Sequence, residues 1–386
     1  MLAKRIDALD AARGAGMLFV CLSHFAATYL QPWSESAVSP TLRSYGQLAI
    51  TASMIASPSF VCISAFVVGY VYRVYAASMP ALRRKLIDRG LFVLVVGHVL
   101  QAIPVYAVNH AAVPAFGFAF ITDVIAVAIM VGPTIVMLTD GMTRAFGGAV
   151  LLLVSWLAFV FWAPHGAASH FVATYAFGLP AVGGPSGFAL VPWIGVYFIG
   201  TALGEHVGAC DVTSARARGT YLLFRIGVLA LASGVLIRAG AHGIRAFLPT
   251  FIVGHEKILN FLTVDQKFPP GPAYLLIFGG LAILLTAAVR WLAHRNTPSR
   301  VVPWLATLGR ASFFVFILQR YTYYLILPAL RLPYPVLWPL YYASTIIVFF
   351  VAAAAWNVRE GNRYLTVGLP RITLRARDLR TRARAA

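Results

Sequence analysis

Long apolar stretches dominate the chain, and they lack the strict alternation of apolar and polar positions that a half-buried β-strand shows. In the stretch AILLTAAV (282–289), apolar side chains follow one another without a period of two. A stretch of about 20 apolar residues can cross a hydrocarbon layer of about 30 Å as an α-helix. The pattern predicts spans at residues 8–31, 47–72, 90–108, 116–138, 145–163, 188–206, 219–239, 272–292, 302–327 and 335–356.

The composition supports the same fold class. Hydrophobic residues make up 60% of the 386 residues and charged residues only 11%, whereas soluble domains carry about 25% charged residues. A transmembrane β-barrel would show segments of about ten residues with alternating polarity, and these spans do not alternate. We therefore predict an all-α polytopic integral membrane helix bundle with ten transmembrane helices.

Basic residues are distributed unevenly between the two sides of these spans. If both termini are cytoplasmic, 21 of the 31 Lys and Arg residues lie in cytoplasmic segments and six lie on the opposite side. Cytoplasmic loops of membrane proteins carry such an excess. The formal net charge of +19 therefore reflects topology and attraction to anionic lipid headgroups. It predicts membrane lipids as partners, no nucleic acid, and a location in the cytoplasmic (inner) membrane of the cell.

The C-terminal segment predicts a division of the chain. Residues 1–358 form the transmembrane region, and residues 359–386 form a cytoplasmic tail that contains eight arginines. A polybasic tail of this kind is expected to lie on the inner leaflet or to be disordered. The three cysteines are too few for a disulfide framework, so free thiols are expected.

The first span carries ionisable residues on one helical face. At about 100° per residue, Asp10, Arg13 and His24 project to the same side, together with Thr28 and Gln31. Asp10 and Arg13 are at i and i+3, so they are expected to pair. His24 lies roughly 16 Å along the helix axis from Arg13. Ionisable residues inside spans are costly and tend to be functional, and hydrogen-bonded helix packing is the alternative.

Four further polar residues inside the spans are candidates for substrate binding. His98 and Gln101 lie at i and i+3 of the third span and share a face, where a packing pair is the alternative. Asp123 is a lone carboxylate in the fourth span, and either Arg320 or a histidine is expected to pair with it. Arg310, at the inner end of the ninth span, is expected to snorkel toward the headgroups.

Common motifs of metal enzymes and nucleotide-driven machines are absent from the sequence. It contains no H-E-x-x-H or C-x-x-C spacing for zinc, and no G-x-x-x-x-G-K-[ST] loop that cradles nucleotide phosphates. We therefore expect no bound metal and no ATP-driven activity.

Five segments resemble motifs of the transmembrane acyltransferases. RIDALDAARGAGMLFVCLSH (5–24) resembles their opening R-x-x-x-L-D-x-x-R-G and the histidine that follows it. SPSFVCISAFVVGYVYR (57–73) resembles their second-span F-V-x-x-S-G-F pattern, with Ala65 in place of glycine. Segments of the bacterial relatives of heparan-alpha-glucosaminide N-acetyltransferase resemble LVPWIGVYFIGTALGE (190–205), KFPPGPAYLLIFGG (267–280) and LGRASFFVFILQRY (308–321).

These segments run from Arg5 to Tyr321, which is most of the chain. The resemblance extends to the acyltransferase-3 proteins, the periplasmic-glucan succinyltransferases and the bacterial relatives of heparan-alpha-glucosaminide N-acetyltransferase. It implies transfer of an acyl group, usually acetyl from cytoplasmic acetyl-CoA, to a hydroxyl or amine of a cell-envelope sugar or glycan. Gln319 stands where many relatives carry a histidine, so a role for that second histidine does not carry over.

The resemblance also implies roles for the residues of the first span. His24 would deprotonate the acceptor or carry the acyl group transiently, and the residues leave both routes open. Asp10 and Arg13 complete the catalytic face, and Arg13 could also meet the phosphates or the carbonyl group of the donor. An inner-loop basic cluster would attract the nucleotide of CoA, with a role in topology alone as the alternative. It consists of Arg83, Arg84 and Lys85.

Two other classes of protein could use some of the same features. A secondary transporter or flippase for a sugar- or lipid-linked substrate would also contain buried charges and helices broken by Pro and Gly. It should show paired halves with corresponding interrupted helices, which the sequence does not show. A structural or assembly protein would not need the face formed by Asp10, Arg13 and His24. We predict an acyl-CoA-dependent acyltransferase, with a transporter or flippase as the alternative.

Overall fold

The predicted fold class is confirmed by a computed structural model. The structure describes residues 7–30, 40–110, 117, 119–179, 187–247, 256–263, 268–295, 299–332 and 335–368. Within these ranges the regular elements are helices, and no β-strand occurs. The chain is therefore an all-α polytopic membrane helix bundle.

The α-helices are numbered here in chain order. They are α1 Asp7–Phe25, α2 Pro40–Ser53, α3 Ala56–Val74, α4 Met79–Phe92, α5 His98–Asn109, α6 Ile121–Leu138, α7 Gly141–Phe161, α8 Ala167–Phe177, α9 Leu190–Val212, α10 Arg216–Phe247, α11 Glu256–Thr263, α12 Pro272–Ala293, α13 Val301–Arg310, α14 Ser312–Tyr321, α15 Leu327–Leu330 and α16 Trp338–Val358. Short π-helical turns at Ala26–Leu30, Val93–Gly97 and Thr322–Ile326 directly follow α1, α4 and α14.

Among the described residues, eight helical runs are long and apolar enough to cross a membrane. They are Gly46–Val74, Ala76–Val108, Ile121–Leu138, Gly141–Phe161, Arg216–Phe247, Pro272–Ala293, Ser312–Leu330 and Trp338–Val358. The two other predicted spans, 8–31 and 188–206, correspond to α1 and α9. Helix α1 packs against α3 and α13, and α9 packs against α3 and α7. Because these two helices lie among others, protein groups instead of lipid can face their charged residues.

The predicted ninth span, 302–327, is interrupted. Helix α13 ends at Arg310, Ala311 has φ −98° and ψ 17°, and α14 begins at Ser312. The interruption separates Arg310, beside the start of α1, from Gln319 and Arg320 farther along the bundle.

Glycines bring the backbones of α1 and α13 into direct contact. A Cβ added to Gly14 would overlap the carbonyl oxygen of Leu305, and one added to Gly309 would overlap the carbonyl oxygen of Asp10. Small residues allow this close approach of membrane helices. The contact sets the end of α13 beside the first turns of α1, where Arg310 reaches the carboxylates of Asp7 and Asp10.

Two arginines that contribute to the charge asymmetry are buried braces between helices. Arg144 of α7 pairs with Glu205 of α9, and its Nε donates to the hydroxyl of Thr201 at 3.1 Å. Arg290 of α12 pairs with Asp211 of α9, which also accepts a 2.6 Å hydrogen bond from the hydroxyl of Tyr70 on α3. The arginine pairs thus tie α9 to α7 and to α12.

The chain continues along the bundle after α16. Helix α16 ends at Val358, where the sequence predicts the start of the basic tail, and a short 3₁₀ turn at Gly361–Tyr364 follows. Leu365 is buried in this segment. Residues 369–386 of the predicted tail lie outside the described residues, and the division at residue 358 stays a prediction.

Candidate active site

The start of α1 and the end of α13 form a cluster of ionic groups. Asp10 and Arg13 lie 3.7 Å apart, which is the pairing that their i, i+3 spacing predicts. Arg310 pairs with Asp7, and its Nε lies 3.5 Å from Asp10 Oδ2. Arg310, expected to snorkel, is therefore part of an ionic network that includes the catalytic face predicted for α1.

A cavity of about 320 Å³ opens beside this network. Asp10, Arg13 and Arg310 line it, together with Arg89 from α4 and Thr122 from α6. The remaining lining is mainly apolar and includes Phe60, Val67, Val71, Leu86, Ile125 and Phe313. We call this space the charged cavity. It combines guanidinium groups with an apolar wall, which suits a ligand that has an anionic part and an apolar part.

His24 lies at the far end of the same helix, and its ring is oriented by Gln319 of α14. His24 Nδ1 is 2.8 Å from Gln319 Oε1. The amide is itself fixed, because Gln319 Nε2 donates to the carbonyl oxygen of Phe316 at 3.0 Å. An amide oxygen only accepts hydrogen bonds, so Nδ1 of His24 carries the proton that is shared with Gln319. Nε2 is then the basic nitrogen of the neutral ring.

Aromatic side chains separate His24 from the charged cavity. The lining of that cavity includes Asp10 and Arg13 but does not extend to His24. The His24 ring centroid lies 5.9 Å from that of Phe316, which lies 6.3 Å from that of Phe60 in the cavity wall. The three predicted catalytic residues of α1 therefore do not share one cavity: Asp10 and Arg13 line the charged cavity, and Phe60 and Phe316 lie between it and His24.

Three of the four predicted substrate-binding residues come together with Thr122 at the starts of α5 and α6. The fourth, Arg320 of α14, adjoins them through the ring of Phe120. His98 Nδ1 lies 2.9 Å from Asp123 Oδ2, so a histidine is the partner of that carboxylate. Gln101 Nε2 donates to the hydroxyl of Thr122 at 2.6 Å. Of the two partners expected for Asp123, the structure thus shows the histidine. We call His98, Gln101, Thr122, Asp123 and Arg320 the His98 cluster.

Three buried polar atoms of the His98 cluster have no hydrogen-bond partner. They are Gln101 Oε1, Asp123 Oδ1 and Arg320 Nε. Asp123 Oδ2, in contrast, accepts from both His98 and the backbone N–H of Phe120, at 2.9 Å each. Leaving a buried polar atom unpaired costs about 1–3 kcal/mol. Two acceptors and one donor without partners in one cluster match the hydrogen-bonding groups of a polar ligand.

Arg320 connects the His98 cluster to His24. Its guanidinium carbon lies 5.2 Å from the ring centroid of Phe120 and 4.7 Å from that of Tyr324. Its Nη1 donates to the hydroxyl of Tyr324 at 2.9 Å, and the Tyr324 ring lies 6.2 Å from the ring of His24. The cluster also meets the charged cavity through Thr122. It therefore lies between the cavity and the catalytic histidine predicted from the sequence.

A π-helical turn adjoins each helix segment that carries a site residue in this region. The turns at Ala26–Leu30, Val93–Gly97 and Thr322–Ile326 lie within two residues of His24, His98 and Arg320, respectively. A π-turn inserts an extra residue into a helix and often occurs at functional sites. The irregular backbone thus coincides with the polar side chains.

The three residues of the predicted nucleotide-binding cluster are exposed on α4. The lining of the charged cavity includes none of Arg83, Arg84 and Lys85, although Arg89 one turn farther along is part of it. Gln31, which completes the predicted face of α1, lies outside the described residues. In the described part of the chain, no group of three or more His, Cys, Asp or Glu side chains could hold a metal ion.

Comparison with protein families gives a match to one family over residues 5–218, and that family is described as heparan-alpha-glucosaminide N-acetyltransferase, catalytic. The chain belongs to this family. The resemblance of the opening motif to heparan-alpha-glucosaminide N-acetyltransferases is therefore confirmed, and membership supports an acyltransferase. The resemblances to acyltransferase-3 proteins and glucan succinyltransferases stay predictions. Comparison with curated proteins and with solved structures gives no match.

The match to the heparan-alpha-glucosaminide N-acetyltransferase family covers α1 to α9 and ends at the third residue of α10. Asp10, Arg13, His24 and most of the His98 cluster lie inside it. Arg310, Gln319 and Arg320 lie outside it, on α13 and α14. The C-terminal helices thus supply Gln319, which orients His24, and two cations. Arg310 lines the charged cavity, and Arg320 belongs to the His98 cluster.

Sequence reasoning missed roles for Gln319, Arg310 and Thr122. For Gln319, the available signal was that it stands where many relatives carry a histidine. Arg310 follows the glycine that packs on Asp10, so the L-G-R segment was also a signal. Thr122, beside Asp123, offered none, because a threonine at the start of a span is ordinary.

Proposed function

We propose that this chain transfers an acetyl group from acetyl-CoA to a hydroxyl or amine of a cell-envelope sugar or glycan. The observation that carries the proposal is the hydrogen bond between His24 and Gln319, because it fixes the ring through Nδ1 and makes Nε2 the nitrogen that would accept a proton. Family membership supports the acetyltransferase class. It also favours this reading over a transporter or flippase.

The donor end of the reaction is assigned to the charged cavity. Arg13 and Arg310 offer permanent positive charge at the face of the bundle where α1 begins. Guanidinium groups suit carbonyl and phosphate oxygens. The excess of basic residues on this side supports a cytoplasmic orientation, so the donor would enter from the cytoplasm and the protein would lie in the cytoplasmic membrane. The thioester would have to pass Phe60 and Phe316 to reach His24.

The acceptor end is assigned to the His98 cluster. A sugar carries neighbouring hydroxyl groups, each of which can donate and accept. Gln101 Oε1 and Asp123 Oδ1 would accept from such hydroxyls, and Arg320 Nε would donate to one. The Arg320–Tyr324 contact places this cluster beside the ring of His24.

The proposed reaction balances without a further reactant. His24 Nε2 accepts the proton of the acceptor hydroxyl or amine while the acceptor heteroatom bonds to the acyl carbon. The carbon–sulfur bond of the thioester breaks, and the departing thiolate takes a proton, which His24 can return. Alternatively, His24 Nε2 first bonds to the acyl carbon as the carbon–sulfur bond breaks and the thiolate leaves. The acceptor heteroatom then takes the acyl group from Nε2, the freed Nε2 accepts the acceptor's proton, and that proton balances the one that the thiolate takes up.

The test is thiol release from acetyl-CoA by the purified full-length protein, with a sugar amine or envelope glycan as acceptor. His24→Ala is expected to lower the rate by at least about 100-fold, because a positioned general base typically contributes 10²–10⁴-fold. His206→Ala, at an exposed position of α9, is the matched control and should retain the wild-type rate. Full activity of the His24 variant would remove this residue from catalysis.

Label transfer separates the two routes. If His24 carries the acyl group, protein mixed with radiolabelled acetyl-CoA in the absence of acceptor should retain label after rapid denaturation, and His24→Ala should retain none. If the transfer is direct, neither protein retains label while the wild type still turns over.

A further inference from the structure

The segment that follows α16, residues 359–368, forms a strap across the face where α1 begins. Asn362 Nδ2 donates to the carbonyl oxygen of Arg310 at 2.8 Å, which attaches the strap to the end of α13. Trp356 Nε1 donates to Asn362 Oδ1 at 3.2 Å. At the other end, the hydroxyl of Thr366 donates to the carboxylate of Asp88 on α4. The strap therefore bridges α13 and α4, which both contribute to the wall of the charged cavity.

The strap and α4 enclose a second cavity of about 670 Å³. Lys85, Asp88 and Arg89 line it from α4, Asn357 lines it from α16, and the strap contributes the rest. The strap residues are Glu360, Asn362, Arg363, Leu365, Thr366 and Gly368. We call this space the polar cleft. Arg89 and Asn362 line both the polar cleft and the charged cavity, so the two spaces adjoin.

The two spaces differ in size and in lining. The polar cleft is about twice the volume of the charged cavity. Eight of the ten residues that line the cleft are polar or charged, whereas the cavity is lined mainly by apolar side chains, among them Phe60 and Phe313. An acyl-CoA has the matching asymmetry, because a bulky phosphorylated nucleotide is joined to a thin arm that ends in the thioester.

The charges of the polar cleft fit phosphate groups. Lys85, Arg89 and Arg363 bring three cations to its wall. The carboxylate of Asp88 is buried and accepts from Thr366, and that of Glu360 pairs with Arg363. Arg363 keeps most of its side chain exposed, at 77%, so an incoming phosphate can replace Glu360 as its partner.

We propose that the polar cleft binds the phosphorylated nucleotide end of acyl-CoA, with phosphates at Lys85, Arg89 and Arg363 and the strap as one wall. This inference rests on the proposed function, since it places the remote end of the same donor. It also revises the predicted nucleotide cluster, because Lys85 lines the cleft whereas Arg83 and Arg84 line neither space. The strap lies outside residues 5–218 and is therefore not part of the family match.

The test compares three donors with the full-length protein: acetyl-CoA, acetyl-dephospho-CoA and S-acetylpantetheine. Arg363→Gln and Lys85→Gln are each expected to raise KM for acetyl-CoA about tenfold, because each removes a charged contact to phosphate. Neither variant should change kcat/KM for S-acetylpantetheine, which has no nucleotide. Arg84→Gln, exposed on the same helix, is the matched control and should keep the wild-type KM for every donor.

Two further variants test the strap as a wall of the polar cleft and Glu360 as the carboxylate that competes with phosphate for Arg363. Glu360→Gln removes the partner of Arg363 and is expected to lower KM for acetyl-CoA a few-fold. Thr366→Val removes the hydroxyl that attaches the strap to Asp88, and it should raise KM for acetyl-CoA with no change for S-acetylpantetheine. A shift shared by both donors would indicate a general structural effect and would contradict the assignment.

The outcomes separate this inference from the proposed function. If wild-type protein turns over acetyl-CoA but the Lys85 and Arg363 variants keep its KM, the nucleotide binds elsewhere and the proposed function stands. The same conclusion follows if the wild type uses S-acetylpantetheine as well as acetyl-CoA. If the wild type turns over none of the three donors, the proposed function itself fails.

Discussion

Arginine–carboxylate pairs occur in this bundle in two different settings. In the braces, the side chains of Arg144 and Arg290 are 1% and 2% exposed. Beside the charged cavity, those of Arg13 and Arg310 are 28% and 29% exposed. The same kind of ion pair therefore occurs both between packed helices and at the wall of the charged cavity.

The two settings also differ in how fully the guanidinium groups are bonded. All three nitrogens of Arg144 donate hydrogen bonds, to Glu205, Thr201 and backbone carbonyls of α6 and the turn that follows. Arg13 lies 3.7 Å from Asp10, and Arg310 Nε has no hydrogen-bond partner. A buried charge must be paired and bonded to persist, whereas a guanidinium with spare donors at a cavity can bind a ligand. The complete bonding of Arg144 thus favours a structural role, and the spare donors beside the charged cavity favour ligand binding.

The largest expected effect comes from breaking a brace. Arg144→Leu leaves Glu205 without its partner, and breaking a buried pair typically costs about 3–5 kcal/mol. We expect a large fall in the thermal unfolding midpoint of the detergent-solubilised protein, measured by fluorescence-detected gel filtration after heating. Arg144→Leu combined with Glu205→Leu should recover much of the loss, because the pair is then replaced by apolar packing. A single variant as stable as the wild type would remove the distinction between the two settings.

A cavity arginine should show the opposite signature. Arg13→Gln keeps hydrogen-bonding capacity but removes the charge, and we expect kcat/KM for acetyl-CoA to fall about 100-fold, equivalent to about 2.7 kcal/mol. The unfolding midpoint should change little, since this side chain is partly exposed and loosely bonded. Arg83→Gln is the control on the exposed face of α4. If Arg83→Gln weakened donor binding more than Arg13→Gln, the donor site would move to the inner loop.

The sequence could predict the contacts that depend on one helix. Asp10 and Arg13 pair because residues at i and i+3 of a helix are neighbours, and no knowledge of tertiary structure is needed. The eight described helical runs that could cross a membrane likewise follow from runs of apolar residues. In both cases the determining information is local.

Contacts between helices could not be predicted in the same way from the sequence. For Asp123, the sequence left an arginine and a histidine open as partners. Helix α4 and the π-turn Val93–Gly97 pack on α6, which brings the adjoining His98 to Asp123. Arg144 and Arg290 entered the charge count as residues that set topology, because nothing local reveals Glu205 and Asp211 as their partners. The sequence also could not show that residues 361–368 return to α4 and α13, since that depends on Asn362 and Thr366 finding partners on other helices.

A smaller effect is expected from the residue that orients the imidazole of His24. Gln319→Leu removes the acceptor for His24 Nδ1, so the ring can adopt the other tautomer and other orientations. We expect kcat to fall about tenfold, which corresponds to about 1.4 kcal/mol, with KM for acetyl-CoA unchanged. The pH–rate profile should also shift, which a purely structural role would not produce. Gln319→His, with a ring that can accept from Nδ1, should restore part of the rate.

The smallest expected effect tests whether the braces are purely structural. Tyr70→Phe removes the 2.6 Å hydrogen bond to Asp211 and leaves the pair with Arg290 in place. Because Asp211 keeps its cationic partner, the loss should be about 1 kcal/mol. It should appear as a modest fall in the unfolding midpoint, with kcat and KM for acetyl-CoA unchanged. A change in KM without a change in stability would show that the contact between Tyr70, Asp211 and Arg290 affects donor binding. The distinction between structural and ligand-binding arginines would then not hold for Arg290.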